Sequence, residues 1–255
     1  MLCKRMKMVL LDIIAENQGA FVHGRFIIHN IMVCQDMVRH YGRKNATPGC
    51  MIKLDLKKAY DIVNWDFLKE MLSALKFPSM FVDWIMTCVT SAQYSLIING
   101  CHHGHAKFKR GLRQGDPISP FLFVVCMEYL SRLLKKMAME TAFKFHPRCK
   151  PMALTQLFFT DDLILCSKGD IESVRLVTNY FQAFSTTTGL KANCSKTEVY
   201  TCGVKENVIS QILQETGFKS GNLSFRYLGV PIYSKKIGIG QCEQLVDKMV
   251  TRIKI

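Results

Sequence analysis

The sequence predicts an α+β fold in which helices come first and a mostly antiparallel sheet interleaved with helices follows. Apolar residues recur at helical spacing in residues 4–16 and again in residues 27–41. Short β-type runs such as MIKLDL and ALTQLFF come later and alternate with segments that begin at helix-capping residues. Strand runs mixed with helical segments in this order favour one layer of helices packed on a sheet.

The elements follow from local signals along the chain. Residues 41–50 form a loop rich in Gly and Pro, which leads into the strand MIKLDL. Asn64 is expected to cap a helix that runs through Phe77, and Ser79 to cap a second helix through Ser91. The runs YSLIING and HAKFKRG predict a hairpin around a turn at Gly100–Gly104.

The second half of the chain continues the alternation. Ser119-Pro120 predicts an N-cap followed by Pro at the first position of a helix that reaches about Glu140. ALTQLFF and LILCSK predict two strands separated only by Thr160-Asp161-Asp162, and Asp170 is expected to cap a helix ending at Gly189. A strand SKTEVYTC, a helix over about 206–217 and a final strand pair SFRYLGVPIYS complete the expected order.

The charge balance favours a polyanionic partner. The chain of 255 residues carries 34 Lys and Arg against 20 Asp and Glu, a formal charge of +14. Basic side chains that neutralise phosphates release condensed counterions, which drives binding to nucleic acid. The alternative is a basic protein with no such partner. A groove that tracks a nucleic-acid backbone would use the basic residues Lys4, Arg5, Lys7, Arg43, Lys44, Lys107, Lys109, Arg110 and Arg113.

Cysteine usage argues against a disulfide framework or a zinc ribbon. The 11 Cys are odd in number and no two stand in a CxxC pattern. The cluster Cys101–His105 is interpreted as a polar hairpin tip rather than a metal site, because no second ligand pair accompanies it. The N-terminal segment is interpreted as an amphipathic helix rather than a signal peptide, and no apolar run reaches the roughly 18 residues of a membrane span. These features indicate an intracellular, reducing location without a membrane.

Acidic residues at the ends of apolar strands are the informative feature of the sequence. Asp55 ends MIKLDL, and Asp161-Asp162 lies at the tip of the next hairpin. Carboxylates beside an apolar sheet are costly unless something neutralises them, and none has an obvious basic partner nearby in sequence. Mg²⁺ prefers such oxygen ligands, and two ions can stabilise both oxygens of an in-line displacement. Ordinary turn aspartates are the alternative.

Three further stretches accompany the acids. The loop Arg110–Pro117 is basic and glycine-bearing, so that its backbone and the Gln114 amide can approach a base pair. Tyr60 follows Asp55 by five residues, where a sugar ring could meet its aromatic side chain. Lys196 lies near the expected sheet edge, within reach of a phosphate. Each feature alone is weak, but the combination predicts a nucleic-acid polymerase site.

With these motifs in this order, the sequence resembles the reverse transcriptase domain of non-LTR (LINE-type) retrotransposons of the kind common in plant genomes. The resemblance covers nearly the whole chain and rests on AFVHGRFIIHN, KLDLKKAYDIVNWDFL, RGLRQGDPISPFLF, LFFTDDLILC, GLKANCSKTEVY and RYLGVPI. It implies a right-hand polymerase palm with partial fingers. The implied activity is RNA-directed DNA synthesis by two Mg²⁺ ions, or Mn²⁺, with an RNA template, a DNA primer and dNTPs.

The resemblance also implies residue roles. Asp55, Asp161 and Asp162 would be the metal-binding catalytic carboxylates, and Lys196 a general acid or phosphate ligand. Tyr60 would exclude a ribose 2′-hydroxyl. The nucleotide or template would be contacted by Arg25, Arg113, Gln114 and Gly115. Three positions depart from the family pattern: Thr160 replaces Ala, Tyr60 replaces the commoner Phe, and His29 replaces Asp.

The resemblance further divides the chain into partial fingers helices (1–49), a palm with a fingers insertion (50–235) and the start of a connection to a thumb (236–255). Upstream fingers strands and the thumb would lie outside these residues, so the chain is expected to be a truncated fragment that polymerises poorly or not at all. Two alternatives are a catalytically inactive nucleic-acid-binding remnant that keeps the palm fold, and a palm-type nucleotide cyclase. The cyclase is disfavoured because it leaves RQGDP unexplained and no Gly-Gly precedes the acidic pair.

Overall fold

The computed structural model describes residues 1–234 apart from residues 40, 44 and 92, together with residues 247, 250 and 251. Lys44, the side chain of Lys107 and most of the expected connection 236–255 therefore lie outside the described residues. The helices are α1 (Leu2–Ile13), α2 (Ile27–Val38), α3 (Trp65–Ala74), α4 (Ser79–Thr90), α5 (Ser119–Met137), α6 (Ile171–Thr188) and α7 (Glu206–Thr216).

The strands lie between and after these helices, as the sequence predicts. They are β1 (Gly49–Asp55), β2 (Gln93–Ile98), β3 (Cys101–Lys107), β4 (Gln156–Phe159), β5 (Asp162–Lys168), β6 (Glu198–Cys202), β7 (Lys219–Ser220), β8 (Phe225–Tyr227) and β9 (Val230–Ile232). The main sheet has the order β4-β5-β1-β6-β7, in which only the β6–β7 pair is parallel. The expected α+β class with a mostly antiparallel sheet is thus confirmed.

Strand β1 is central because both of its faces are covered. Residues at alternate positions of a strand point to opposite faces. Cys50, Ile52 and Leu54 face a larger core that also contains buried residues of α3, α5 and α6. Met51 faces a smaller core shared with α2, β6 and the β8–β9 hairpin. The sheet is therefore sandwiched between helices on one side and α2 with the terminal hairpin on the other.

Two predicted helix caps are confirmed by side-chain hydrogen bonds. Asn64 Oδ1 accepts from the backbone N–H groups of Asp66 and Phe67, at 2.8 and 3.2 Å. Asp170 Oδ1 accepts from the backbone N–H of Ser173 at 3.0 Å, and α6 stops before Gly189. Each cap satisfies N–H groups that the first helical turn leaves without partners.

The predicted caps Ser79 and Ser119 are wrong. Both serines lie inside the first turn, and neither helix has a side-chain hydrogen bond at its N-cap. Pro78 precedes α4, and its carbonyl accepts from the N–H groups of Phe81 and Val82. Before α5, the side chain that binds a free backbone N–H is that of Asp116 and not that of Ser119, since Asp116 Oδ1 accepts from the Ile118 N–H at 3.1 Å. Ser119 itself is buried and cannot reach an exposed helix end.

The β2–β3 hairpin turns earlier than predicted. Its turn is Asn99-Gly100, where both residues have positive φ (52° and 81°), the geometry of a two-residue hairpin turn. The Cys101–His105 segment, interpreted above as the hairpin tip, therefore belongs to β3. Asn-Gly is the strongest sequence signal for such a turn, and it outweighs the glycine at position 104.

Several boundaries also differ from the expected ones. Helix α1 ends at Ile13 rather than residue 16, and α2 ends at Val38 rather than residue 41. The short strand β7 was not predicted, because two residues carry no periodic pattern. Within the part of the chain that the structure describes, no helix is long and apolar enough to cross a lipid bilayer.

Candidate active site

Two strands bring the predicted acidic residues to the same end of the sheet. In the antiparallel pairing of β1 with β5, Asp55 is the register partner of Asp162. Side chains of directly opposed residues share one sheet face, and their Cα atoms lie about 4.5–5.5 Å apart. Asp161 precedes Asp162 in the chain, so the Cα atoms of all three aspartates fall within about 10 Å.

The turn between β4 and β5 sets the positions of the two neighbouring acids. Phe159 and Asp162 are register partners, so Thr160 and Asp161 form a two-residue turn. Thr160 adopts a positive φ of 56°. Its hydroxyl oxygen lies 2.7 Å from the Phe159 carbonyl oxygen and 2.8 Å from Asp161 Oδ1. The hydroxyl that Thr160 adds in place of the family's Ala thus contacts the Asp161 carboxylate.

The carboxylates influence one another electrostatically. The pKa of Asp162 is raised, first by burial and then by the negative charges of Asp161 and Asp55, while Lys53 opposes the rise. Lys53 lies two residues before Asp55 on the same strand, so the alternation of side chains places it on the same face. The expectation that the acids have no basic partner nearby was wrong. The two-residue spacing of Lys53 and Asp55 on one strand was the signal that could have identified Lys53.

The three aspartates offer oxygen ligands of the kind that a hard divalent cation prefers, but they do not form a closed metal site. Within the described ranges, no group of three or more His, Cys, Asp or Glu side chains stands close enough to hold a metal ion. The oxygens available are those of Asp55, Asp161 and Asp162, and the raised pKa of Asp162 marks negative charge that the protein leaves only partly compensated. Mg²⁺ binds through one or two carboxylates plus substrate phosphates and does not require a closed protein cage.

Tyr60 lies between the acids and the larger core. Its ring stacks on Phe123 with centroids 4.8 Å apart, and Phe123 in turn contacts Phe158. The pKa of Tyr60 is raised by burial and by the charge of Asp161, which places its hydroxyl on the side of the acids. The Tyr60 carbonyl accepts a hydrogen bond from the backbone N–H of Leu112. The half-buried residue Tyr60 therefore lies near the acids with its side chain and contacts Leu112 with its backbone carbonyl.

The RQG loop, Arg110–Gly115, is fixed at one end and exposed at the other. The Gly111 N–H donates to the Val63 carbonyl at 2.8 Å, and the Trp65 indole N–H donates to the Gly111 carbonyl at 2.7 Å. Arg113 donates to the Cys88 carbonyl and lies 3.6 Å from the Asp116 carboxylate. Gln114 and Gly115 are exposed, so both can meet a substrate.

A cleft of about 660 Å³ lies beside this loop. Arg113 and Gln114 line it together with Trp65, Phe108 and Lys58. Asp61 also lines the cleft, but Asp55, Asp161 and Asp162 are not among the described residues that line it. The cleft and the acidic cluster are therefore neighbouring regions, joined through Tyr60 and Leu112, and a bound polymer would have to cover both.

Lys196 is held beside the acids by its loop. The Asn193 N–H donates to the Asp55 carbonyl at 2.8 Å, and Thr197 Oγ1 accepts from the Asp55 N–H at 3.4 Å. The Lys196 N–H donates to the Asn193 carbonyl, while its side chain is exposed. The structure thus brings Lys196 to the end of β1, and its role toward a phosphate remains a prediction.

The sequence of this chain matches a known protein family. A sequence profile of the reverse transcriptase (RNA-dependent DNA polymerase) family matches residues 1–232. The chain belongs to the reverse transcriptase family.

Relatives of this chain include proteins of transposons and retrotransposable elements. It is 26% identical over 252 residues to the transposon TX1 uncharacterized 149 kDa protein of Xenopus laevis, covering 98% of this chain and 19% of that protein. It is 29% identical over 140 residues to the Pol polyprotein of the R2 element of Popillia japonica, covering 53% of this chain and 22% of that protein. The chain thus spans about a fifth of the length of these relatives.

A solved structure shares the fold of this reverse transcriptase. Telomerase from Candida tropicalis, in complex with a fragment of telomeric RNA, superposes on 91% of this chain and 35% of its own with a TM-score of 0.61 at 15% identity. At that identity the likeness concerns the fold alone. It supports the assignment of the sheet and its packed helices to a polymerase palm.

Arg25, which was expected to contact the template or the nucleotide, forms hydrogen bonds with backbone carbonyls of this chain. Its guanidinium donates to the carbonyls of Ala15 and Gln18, at 2.5 and 2.7 Å, and to that of Ile14 at 2.9 Å. It therefore satisfies the carbonyl of the C-cap residue Ile14 and two carbonyls of the loop that follows α1. Burial lowers its pKa, although Glu16 and Glu128 oppose the change. A nucleotide contact by Arg25 remains a prediction and would use its remaining N–H groups.

Two residues that support the β4–β5 hairpin were not singled out from the sequence. Asn30 Nδ2 donates to the Phe158 carbonyl at 3.0 Å, and the backbone N–H of Gly19 donates to the same carbonyl at 2.9 Å. Phe158 lies three residues before Asp161. Asn30 is buried on α2, and a buried Asn that faces a sheet is the signal that could have identified it.

Proposed function

We propose that this chain is the catalytic core of an RNA-directed DNA polymerase. The single observation that carries the proposal is the register of β1 with β5, which opposes Asp55 to Asp162 and puts Asp161 beside them. Membership of the RNA-dependent DNA polymerase family and similarity to transposon proteins support the proposed reaction, which is nucleotidyl transfer to a DNA primer on an RNA template. The family description, RNA-dependent DNA polymerase, supports RNA as the template.

Asp55, Asp161 and Asp162 would hold two Mg²⁺ ions, or Mn²⁺ in their place. Bound there, the ions would neutralise phosphate charge and stabilise the attacking and leaving oxygens. The protein residues keep the carboxylates in position. The Thr160 hydroxyl lies beside one oxygen of Asp161. The Asp55 N–H donates to Thr197 Oγ1, and the Asp55 carbonyl accepts from the Asn193 N–H. Lys53 supplies a positive charge that limits repulsion among the acids.

The remaining residues would bind and orient the substrates. The ring of Tyr60, supported by Phe123, would pack against the sugar of the incoming nucleotide where a 2′-hydroxyl would project. Gln114 and Gly115 would contact the nascent base pair from the exposed end of their loop, with Arg113 fixed behind them. Lys196, exposed beside Asp55, would reach a phosphate of the dNTP as a point charge or general acid.

The test is single-nucleotide addition with protein in excess over a DNA primer annealed to RNA, a format that does not require the protein to stay bound between additions. We expect addition that depends on Mg²⁺ or Mn²⁺ in the unmodified chain and none in Asp161→Asn. The matched control is Asp83→Asn, which removes an exposed carboxylate of α4. Thermal unfolding of both variants should resemble that of the unmodified chain.

Equal addition by Asp161→Asn and the unmodified chain would refute the catalytic assignment. A chain that binds primer–template but adds no nucleotide with either metal would instead be a nucleic-acid-binding protein that keeps the fold. Binding measured in parallel by fluorescence anisotropy, without metal or dNTP, separates these two results.

A further inference from the structure

A second concave site lies at the opposite end of the sheet from the aspartates. It is a cavity of about 360 Å³ between the end of α2, the loop after it and the segment His146–Arg148. We call it the arginine cavity because three of the residues that line it are Arg39, Arg43 and Arg148. The other residues that line it are Met37, Tyr41, Asn45, Ala46, Thr47, His146, Pro147 and Cys202.

The arginine cavity is remote from the proposed active site. His146, on its floor, packs against the first residue of β1, since a Cβ atom added at Gly49 would lie 2.6 Å from His146 Nε2. Asp55 is the last residue of the same seven-residue strand. A strand rises about 3.3 Å per residue, so roughly 20 Å separates the two ends. The cavity and the aspartates therefore cannot contact the same phosphate.

The floor of the cavity is ordered by buried hydrogen bonds. His146 is 1% exposed, its Nδ1 accepts from the Arg148 N–H at 3.2 Å, and its Nε2 lies 2.8 Å from Tyr41 Oη. Because Nδ1 accepts, a neutral imidazole carries its proton on Nε2 and donates it to the tyrosine oxygen. Tyr41 is also buried. The imidazole thus fixes the backbone from which the Arg148 side chain extends.

The charge of the cavity is of one sign. Two of its guanidinium groups, those of Arg39 and Arg43, come from the loop after α2, and the third comes from Arg148. No carboxylate side chain is among the described residues that line it. Asp36 lies 3.4 Å from Arg148 at the exterior, where both side chains are substantially exposed. An exposed ion pair of this kind is weak and can be exchanged for another anion. Arg39 and Arg43 are exposed, and the buried Tyr41 between them joins their loop to His146.

We propose that the arginine cavity binds a phosphate group, and that the phosphate belongs to a polynucleotide held away from the active site. Guanidinium groups match the tetrahedral oxygens of phosphate through paired N–H donors. The exposed Asn45 and Thr47 at the rim add neutral polar groups. A volume of about 360 Å³ admits a phosphate with its sugar, and the formal charge of +14 favours a polymer over a single anion.

The first test is the binding of a short fluorescent RNA to Arg39→Gln/Arg43→Gln. The matched control is Lys135→Gln/Lys136→Gln, which removes two exposed charges at the end of α5. We expect the arginine variant alone to bind more weakly, with the slope of log affinity against log salt reduced by about 1 for each phosphate that is no longer neutralised. Equal losses of affinity in both variants would overturn the proposal, because they would reflect net charge only.

The second test follows the imidazole resonances of His146 by NMR during titration with inorganic phosphate or with the RNA. Saturable shifts with inorganic phosphate support a site that recognises the anion itself, and shifts with RNA alone support recognition of the polymer backbone. No shift with either probe would overturn the proposal even if the arginine variant failed to fold. Neither test uses metal, dNTP or polymerisation, so the result is independent of the proposed catalytic function.

Discussion

Asp55 and Asp162 are directly opposed on neighbouring antiparallel strands, and both carry carboxylates toward one face of the sheet. Like charges in this relationship destabilise a sheet. The pKa of Asp162 is raised mainly by burial, and the repulsion from Asp161 and Asp55 adds to the rise. The protein thus maintains at its site a charge arrangement that is unfavourable to its own fold.

Asp162→Asn should therefore stabilise the metal-free fold at neutral pH. Because the pKa of Asp162 is higher in the folded than in the unfolded chain, the folded state is favoured by protonation and penalised once the carboxyl ionises. The stability gained by the variant should be present above the folded-state pKa and disappear as the pH falls through it toward the ordinary value of 3.8. Urea unfolding at several pH values, with chelator present, measures this difference.

Asp83→Asn serves as the control for that experiment, since its carboxylate is exposed on α4 and should show no such pH-dependent gain. Addition of Mg²⁺ should make the unmodified chain more stable than Asp162→Asn. An ion at about one hundred times its dissociation constant stabilises the protein that binds it by about 2.7 kcal/mol. Equal stabilisation of Asp162→Asn by Mg²⁺ would show that the ion binds elsewhere.

Gly111 and Gly115 form a matched pair within one loop. Both have positive φ, 96° and 88°, but a Cβ at Gly111 would lie 2.5 Å from the Asp61 carbonyl oxygen, whereas no atom lies within 4 Å of one at Gly115. Gly111→Ala should cost roughly 2–4 kcal/mol, because backbone must move. Gly115→Ala should cost only the local strain of about 1–2 kcal/mol. Denaturant unfolding of both variants compares them, and equal destabilisation would contradict the close approach at Gly111.

Tyr60 should control sugar selectivity in any form of the protein that polymerises. Tyr60→Ala removes the ring that stacks on Phe123 and should admit ribonucleotides. Tyr60→Phe keeps the ring and should keep the selectivity. The measurement is the ratio of dNTP to NTP incorporation opposite the same template base. An unchanged ratio in Tyr60→Ala would mean that the ring serves only core packing.

Arg25→Met should destabilise the fold by about 1–3 kcal/mol, because it leaves carbonyls of Ile14, Ala15 and Gln18 without their charged donor. Urea unfolding measures the destabilisation. Arg25→Lys should recover only part of the stability, since an ammonium group cannot span carbonyls as a planar guanidinium does. If Arg25→Met unfolds like the unmodified chain but binds dNTPs more weakly, the nucleotide contact predicted from the sequence would be the main role of Arg25.

Local signals in the sequence predicted much of the fold, and their failures have physical causes. Asn64 and Asp170 were correct caps because each side chain acts on the turn that directly follows it. Ser119 failed because a capping pattern does not show that the residue is buried, and Asp116 was nearer the free N–H groups. Local sequence signals predict helix caps correctly where burial and distant partners do not compete with the local hydrogen bonds.

The candidate site was less fully predicted, for a related reason. Spacing along the chain pointed to Asp55, Asp161 and Asp162, but the opposition of Asp55 to Asp162 depends on a strand register that joins residues more than a hundred positions apart. Lys53 was overlooked although its position two residues before Asp55 assigns it to the same face. Asn30 required the three-dimensional structure, because its partner is the Phe158 carbonyl.

Helix α2 joins parts of the chain that are made at very different times during synthesis. Asn30 binds the carbonyl of Phe158, 128 residues later, and Gln35 exchanges hydrogen bonds with the backbone of Tyr233, 198 residues later. The helix emerges early from the ribosome, yet these bonds form only after nearly all of the described chain has been made. Contacts between such distant residues slow folding, because large loops must close first. A nascent chain that stops before Phe225 lacks the β8–β9 hairpin that packs on α2, so part of the apolar face of α2 would be uncovered, where chaperones can bind it.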